Sequence, residues 1–337
     1  NFSVGPKLTS LAIGDLNQDG HLDLAVTNTV ENTEDNLSVL TGLGDGTFSS
    51  PTFHSIGLNS RPECVLVSDV NLDGNLDIIT ANTGFPGGND SLGVLLGNGN
   101  GTFAAVEHVS VSDDPFDVVA GDFNSDGKPD LATSTWGNQS EVSVVLGNGD
   151  GTFDNATHFD SGSSNYEIAV ADLDQDGHED LVVGNAQGST VSLLLGNGDG
   201  TFKDRTPLNV ATGPNGIVVA DLNNDGVDDI ATSTSTSRSL SILLGNDNAT
   251  VSRTFNVTVN PVNDAPTLDP VADVTIDEDA PEQTVNLGGI TAGGGENQPL
   301  RVTATSSNTD LISDPPVAYT SDDSTGSLSF TPLPDQY

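Results

Sequence analysis

The chain has no methionine, one cysteine (Cys64), one tryptophan (Trp136) and only 8 Lys plus Arg in 337 residues. A single thiol excludes any intrachain disulfide, so stability must come from packing and bound ions. The 8 basic residues face 49 acidic ones, a formal charge of −41. Nucleic acid and anionic lipid would therefore meet repulsion instead of counterion release. No apolar run approaches the roughly 18 to 20 residues that span a bilayer, and no helical periodicity is present. Aromatics make up 5% of the chain, yet the 34% hydrophobic content gathers into regular Val, Ile and Leu runs, which argues against a disordered acidic tail. The chain starts at Asn1 without a charged-then-apolar leader, and reads as a mature piece or a fragment.

What is present is a repeat. The string D-x-(N/D)-x-D-G-x-x-D begins at Asp15, Asp69, Asp122, Asp172 and Asp221, giving five units at intervals of 54, 53, 50 and 49 residues. An apolar run enters each copy (Leu11 to Ile13, Val65 to Val67, Val118 to Ala120, Ile168 to Val170, Ile217 to Val219) and another leaves it. A third run follows, exemplified by Val144-Val145-Leu146, and in the middle copies it leads into Gly-Asn-Gly-(Asp/Asn)-Gly-Thr-Phe. Gly and Asn tolerate the positive φ of tight hairpins, and a more polar fourth strand is expected after the Phe. Four short antiparallel strands at this period predict β-propeller blades, an all-β fold. The fifth copy lacks the glycine-rich turn, reading Gly245-Asn246-Asp247-Asn248-Ala249-Thr250, so its outer strand must come from Thr254 to Val259 or from Phe2 to Val4.

Oxygen donors at alternate positions suit a hard cation such as calcium, which takes about six to eight oxygens. The candidate side-chain ligands are Asp15, Asn17, Asp19 and Asp23; Asp69, Asn71, Asp73 and Asp77; Asp122, Asn124, Asp126 and Asp130; Asp172, Asp174, Asp176 and Asp180; and Asp221, Asn223, Asp225 and Asp229. Gly20, Gly74, Gly127, Gly177 and Gly226 permit the sharp turn at position six. Position seven holds His21, Asn75, Lys128, His178 and Val227, a set with no shared side-chain chemistry, as expected where only the backbone carbonyl coordinates. Position twelve is Val26, Thr80, Thr133, Val183 and Thr232 instead of the Glu an EF-hand needs. One isolated copy could be an ion-free Asx-rich turn. Five copies, each with three or four carboxylates in one small turn, point to five bound Ca2+ ions.

These residues resemble FG-GAP/VCBS repeats, the propeller unit of integrin α subunits and of many bacterial surface proteins. The segments ADLDQDGHEDLVVGN (171–185) and SLLLGNGDGTF (192–202) carry the resemblance, which extends over about 2–244. It implies a calcium-binding propeller, commonly of seven blades, whereas five loops are visible in this sequence.

Beyond Asn260 the composition shifts to Pro-punctuated alternating segments (Val274 to Ile276, Gln283 to Leu287, Leu300 to Ala304, Ser327 to Phe330). These predict a partial β-sandwich similar to the cadherin-like or immunoglobulin-like modules of bacterial adhesins. The division is 1–253 for the propeller repeats, 254–265 for a linker or shared strand, and 266–337 for the sandwich. Asn263, Asp264, Asp277, Glu278 and Asp279 form a weaker candidate linker site, a solvated acidic linker being the plainer reading.

Catalytic motifs are absent: no G-x-S-x-G elbow, H-E-x-x-H pair or P-loop occurs. His54, His108 and His158 recur at matching places on different copies, so a role in outer strands is expected. Cys64 aligns with Ser10, Asp117, Glu167 and Gly216, a position that tolerates any side chain and predicts an inert thiol. Trp136 suits packing between blades better than a sugar-binding face. The expected function is non-catalytic: a secreted or cell-surface adhesion or recognition module whose partner is an extracellular glycan or a matrix or surface protein. The alternatives are a carbohydrate-active enzyme such as a polysaccharide lyase, or its substrate-binding appendage, and a passive stalk spacer.

Overall fold

The computed structural model describes residues 4–5, 7–29, 36–57, 60–84, 90–137, 140–245, 254–257, 266–272, 274–275, 280–292, 299–309, 311–321 and 323–333. Among them there is no helix, and the chain divides into two compact units, Asn1–Thr258 and Val259–Tyr337.

The first unit holds five sheets of four antiparallel strands, each sheet formed in chain order. Blade one is β1 (Leu8–Gly14), β2 (Asp23–Asn28), β3 (Leu37–Leu40) and β4 (Thr52–His54). Blade two is β5 (Ser60–Ser68), β6 (Asp77–Gly84), β7 (Ser91–Leu95) and β8 (Glu107–Ser110). Blade three is β9 (Pro115–Gly121), β10 (Asp130–Thr135), β11 (Glu141–Val145) and β12 (Thr157–Asp160). Blade four is β13 (Asn165–Ala171), β14 (Asp180–Asn185), β15 (Thr190–Leu194) and β16 (Thr206–Asn209). Blade five is β17 (Pro214–Ala220), β18 (Asp229–Thr234), β19 (Ser239–Leu243) and β20 (Thr254–Val257). Blade five thus takes its outer strand from 254–257, the first of the two sources the sequence offers.

The apolar runs become strands because in blades one to four the second and third strands are buried on both faces, as continuous Val, Ile and Leu stretches require. The core lies between blades instead of inside one. Ala25, Leu37 and Val39 of blade one meet Val65, Ile78 and Leu95 of blade two. Ile79, Leu92 and Val94 meet Val118, Leu131 and Val145. Phe123, Val142 and Val144 meet Ile168, Leu181 and Leu194, and Val182 and Val191 meet Ile230 and Leu243.

The first strands carry this packing: β1 lies on β5, β5 on β9, β9 on β13 and β13 on β17. No packing of that extent joins β17 to β1 among the described residues. The two end faces are consequently open. Leu11 of β1 is 53% exposed while its counterparts Val65, Val118 and Ile168 are 5%, 2% and 4% exposed. After the first loop Asp, Leu16, Val70 and Phe123 are buried, whereas Leu222 of blade five is 46% exposed.

Polar latches cross the same joints. Asp117 Oδ2 accepts the backbone N–H of Ile168 at 3.1 Å, and Glu167 Oε2 accepts that of Ile217 at 2.7 Å. Glu179 reaches back to accept the N–H of Asp122 at 2.6 Å. The alignment position of Cys64, Asp117 and Glu167, which appears indifferent in the sequence, is in blades three and four the place where one blade caps the backbone of the next. Burial, and then the nearby Asp117 carboxyl, push the Cys64 thiol well above its ordinary range, so it is held as the unreactive protonated form.

The second unit contains one antiparallel sheet of β21 (Gln283–Leu287), β22 (Val317–Ala318) and β23 (Gly326–Phe330) in the order β21-β23-β22. The expected strands at 283–287 and 327–330 are present. The stretch from Leu300 to Ala304 has no ladder partner, and 274–275 form no strand. The second sheet that a sandwich needs is not found among the described residues. Asn263, Asp264, Asp277, Glu278 and Asp279 lie outside the described residues.

Candidate metal centres

Each acidic loop joins the first strand of a blade to the second, so all five loops lie at one end of the blades. Their internal hydrogen bonding repeats almost atom for atom. The first Asp accepts the N–H of position five through Oδ1 and that of the position-six Gly through Oδ2. For Asp15 these are Asp19 at 3.1 Å and Gly20 at 2.9 Å, and Asp69, Asp122, Asp172 and Asp221 repeat both bonds at 2.9–3.2 Å. Position three accepts the same position-five N–H, at 3.0 Å in Asn17 and Asn124, 3.1 Å in Asn71 and 3.3 Å in Asp174. Position five in turn accepts the N–H of position seven, at 2.8–3.0 Å for His21, Asn75, Lys128, His178 and Val227. The donors of positions one, three and five therefore curl around a common centre. In blade four the carboxylate oxygens of Asp172, Asp174 and Asp176 lie within 4.8 Å of one another.

Position nine differs. Asp23, Asp77, Asp130, Asp180 and Asp229 are at most 1% exposed. Each accepts two backbone N–H groups: one from position two at 2.9–3.0 Å (Leu16, Val70, Phe123, Leu173, Leu222), and one from the first glycine of the distant hairpin turn at 2.7–2.8 Å (Gly42, Gly97, Gly147, Gly196, Gly245). This carboxylate is a clamp between loop and turn. Burial, reinforced by Asp174 and Asp176, pushes Asp180 up to about 6. Burial, reinforced by Asp126, does the same to Asp130. The charges of Asp174 and Asp176 thus reach Asp180, and that of Asp126 reaches Asp130, while the close cluster of blade four consists of Asp172, Asp174 and Asp176. A carboxylate oxygen that accepts one hydrogen bond retains a lone pair for a cation.

Position four carries a feature the sequence does not reveal. Gln18, Leu72, Ser125, Gln175 and Asn224 all adopt the left-handed conformation, with φ between 57° and 61°. Several reach the next loop: Gln18 Nε2 donates to the Gly74 carbonyl at 2.9 Å and to Asn75 Oδ1 at 2.8 Å, and Gln175 Nε2 donates to the Gly226 carbonyl at 2.6 Å. Side chains so varied offered no pattern from which to infer a shared conformation.

Among the described residues, two lysines touch the loops. Lys128 Nζ is 3.2 Å from Asp126 Oδ2, and Lys203 Nζ is 3.7 Å from Asp174 and 4.0 Å from Asp176. A lone ammonium leaves most of the carboxylate charge in each turn uncompensated. The donor set, all oxygen and mainly carboxylate, fits a hard divalent ion of the calcium kind.

The histidines do not converge. His54, His108 and His158 sit on β4, β8 and β12, outer strands of separate blades. His158 Nδ1 lies 3.0 Å from both Ser112 Oγ and Ser143 Oγ and 3.9 Å from Glu141. A nucleophilic relay needs hydroxyl and acid on opposite ring nitrogens, and here both meet the same one.

The repeat is matched by a known family. FG-GAP-like repeats align with residues 15–80, 69–133, 134–183 and 172–232, together spanning 15–232 of the chain. No curated protein matches. Among solved structures, the chain is similar to an Agrocybe aegerita lectin described for specific recognition of non-reducing terminal N-acetylglucosamine, with 20% identity and a TM-score of 0.51 over 73% of this chain and 65% of the lectin. The chain thus spans just under two thirds of that lectin's length. It is also similar to a periplasmic gluconolactonase of Pseudomonas aeruginosa, with 15% identity and a TM-score of 0.53 over 74% of this chain and 69% of the enzyme. At these identities the likeness concerns the fold. With four aligned copies of its loop-and-strand unit across most of the first structural unit, the chain belongs to the FG-GAP-like repeat family as a β-propeller protein.

Proposed function

We propose that the chain is a non-catalytic extracellular recognition module whose blades are braced by five calcium ions. The observation that supports this most is the fivefold recurrence of one oxygen-donor turn, closed at its base by a buried carboxylate that also holds the neighbouring hairpin. Calcium, when bound, supplies the positive charge that offsets the repulsion among the carboxylates of each loop. The chain's residues do the rest. Positions one, three and five present oxygens, and position nine ties the loop to the glycine turn. Gln18 couples the first loop to the second and Gln175 the fourth to the fifth, which braces neighbouring blades at the loop end.

Modest affinity per loop, about 10⁻⁴ to 10⁻³ M as in extracellular modules, suits the calcium level outside cells. No helix among the described residues is long and apolar enough to cross a membrane. The lectin neighbour illustrates that a related architecture can carry a saccharide site. The decisive experiment is binding of the intact chain to glycan and matrix-protein arrays with and without calcium. Calcium-dependent binding with no chemical change of the ligand supports recognition. Conversion of the bound glycan makes the protein an enzyme, and silence on every array makes it a spacer.

A further inference from the structure

The loop end of the blades repeats from copy to copy, whereas the opposite end does not. The divergence is sharpest six residues before the first loop Asp, where matched places on the inner strands hold Thr9, Glu63, Phe116, Tyr166 and Asn215. In blades three and four these are rings that meet across the joint, with the Phe116 and Tyr166 centroids 4.3 Å apart. Trp136, the residue after β10, packs against both at 5.8 and 5.3 Å. The cluster is fastened from below. The Trp136 N–H donates to the Asp114 carbonyl at 2.8 Å, and Ser134 Oγ donates to the Tyr166 carbonyl at 2.6 Å.

Packing alone does not call for these rings. The places that match Trp136 hold Thr29, Thr83, Ala186 and Ser235, and the blades form equally well around them. Phe123, which fills the same joint at the loop end, is 1% exposed, whereas Trp136 stays 38% exposed. Polar groups lie beside the cluster: Asp114 holds the Trp136 backbone through its carbonyl, and Glu63, at the place that matches Phe116 on the strand packed against β9, pairs with Arg61 at 3.3 Å.

We propose that Phe116, Trp136 and Tyr166 form a stacking platform for a neutral sugar ring, with Glu63, Asp114 and Arg61 at its edge taking the hydroxyl groups. The C–H face of a pyranose matches an apolar ring surface, and its equatorial hydroxyls match carboxylate acceptors and guanidinium donors. Other ligands that favour aromatic surfaces fit less well. A nucleic-acid strand would stack, but its phosphates face a chain of charge −41. A quaternary ammonium needs an open cage, and these rings touch one another. An acidic polysaccharide would place its carboxylates against Glu63 and Asp114.

The proposal rests on the recognition reading and gives it a location and a ligand class. Trp136 is the only tryptophan, so its fluorescence reports this site alone. The intact chain in calcium is titrated with β-linked tetrasaccharides of glucose, mannose and N-acetylglucosamine, and with tetragalacturonate and tetramethylammonium. A saturable spectral change with at least one neutral tetrasaccharide is expected. Calorimetry with that sugar should show affinity lowered at least about tenfold in Tyr166→Ala and in Trp136→Ala, with calcium binding and melting temperature retained. A response to tetragalacturonate or tetramethylammonium alone overturns the proposal, as does no response to any neutral sugar at tens of millimolar. Array glycan binding that survives intact in Trp136→Ala also overturns it, while leaving the recognition reading standing.

Discussion

Each blade needs two glycines for different physical reasons. At position six of the loop, Gly127 has φ +81° with open space where a Cβ would sit, so a side chain there meets only backbone strain. At the start of the hairpin turn, a Cβ on Gly147 would lie 2.0 Å from the Pro129 carbonyl oxygen, and the same clash recurs at Gly42, Gly97, Gly196 and Gly245. That approach lets the turn donate its N–H to the buried position-nine carboxylate. Urea unfolding should therefore show Gly127→Ala losing about 1 kcal/mol and Gly147→Ala about 3 kcal/mol, the upper end for forced overpacking. Equal losses would mean that the turn and loop do not approach this closely. The glycine-rich string was readable as a hairpin from positive-φ preference, and that holds for Gly149 and Gly151. The first glycine's reason is a tertiary contact with a residue 18 positions earlier, which no local rule can supply.

The strands were legible because short Val, Ile and Leu runs bounded by Asp, Asn and Gly have few other ways to be buried. Their grouping into blades followed from the period. Which neighbour each face meets was not legible, since a run buried on both sides shows no alternation to assign. Within blade two, Ile78 faces blade one while Ile79 faces blade three. The exposed end faces follow from this arrangement and give a matched pair for measurement. Ile168→Ala empties a joint and should cost about 3 kcal/mol. Leu11→Ala, at the corresponding place on the open face of β1, should change stability by no more than about 0.5 kcal/mol. A large loss at Leu11 would show that the first face is covered in solution. In the second unit, β21 and β23 were readable from alternation, but β22 is only two residues long and carries too little pattern to be seen.

At the scale of the molecule, one end of the blades is uniform and acidic and the other is individual. The uniform end was legible as structure: the five loops and their spacing stand in the sequence, and each joins the first two strands of a blade. The individual end was not, because Phe116, Trp136 and Tyr166 lie up to 50 residues apart and only the blade joint makes them neighbours. The account as a whole depends on the loops holding ions. At ten times its Kd, each occupied loop would stabilise the fold by about 1.4 kcal/mol, so the loops together would set the melting temperature. The most direct test is calorimetric titration of the chelator-stripped chain with calcium, read for stoichiometry. The account predicts five ions per chain, one for each loop, and four in Asp176→Ala. A chain that binds no calcium saturably, or whose stoichiometry is unchanged by that substitution, would contradict it.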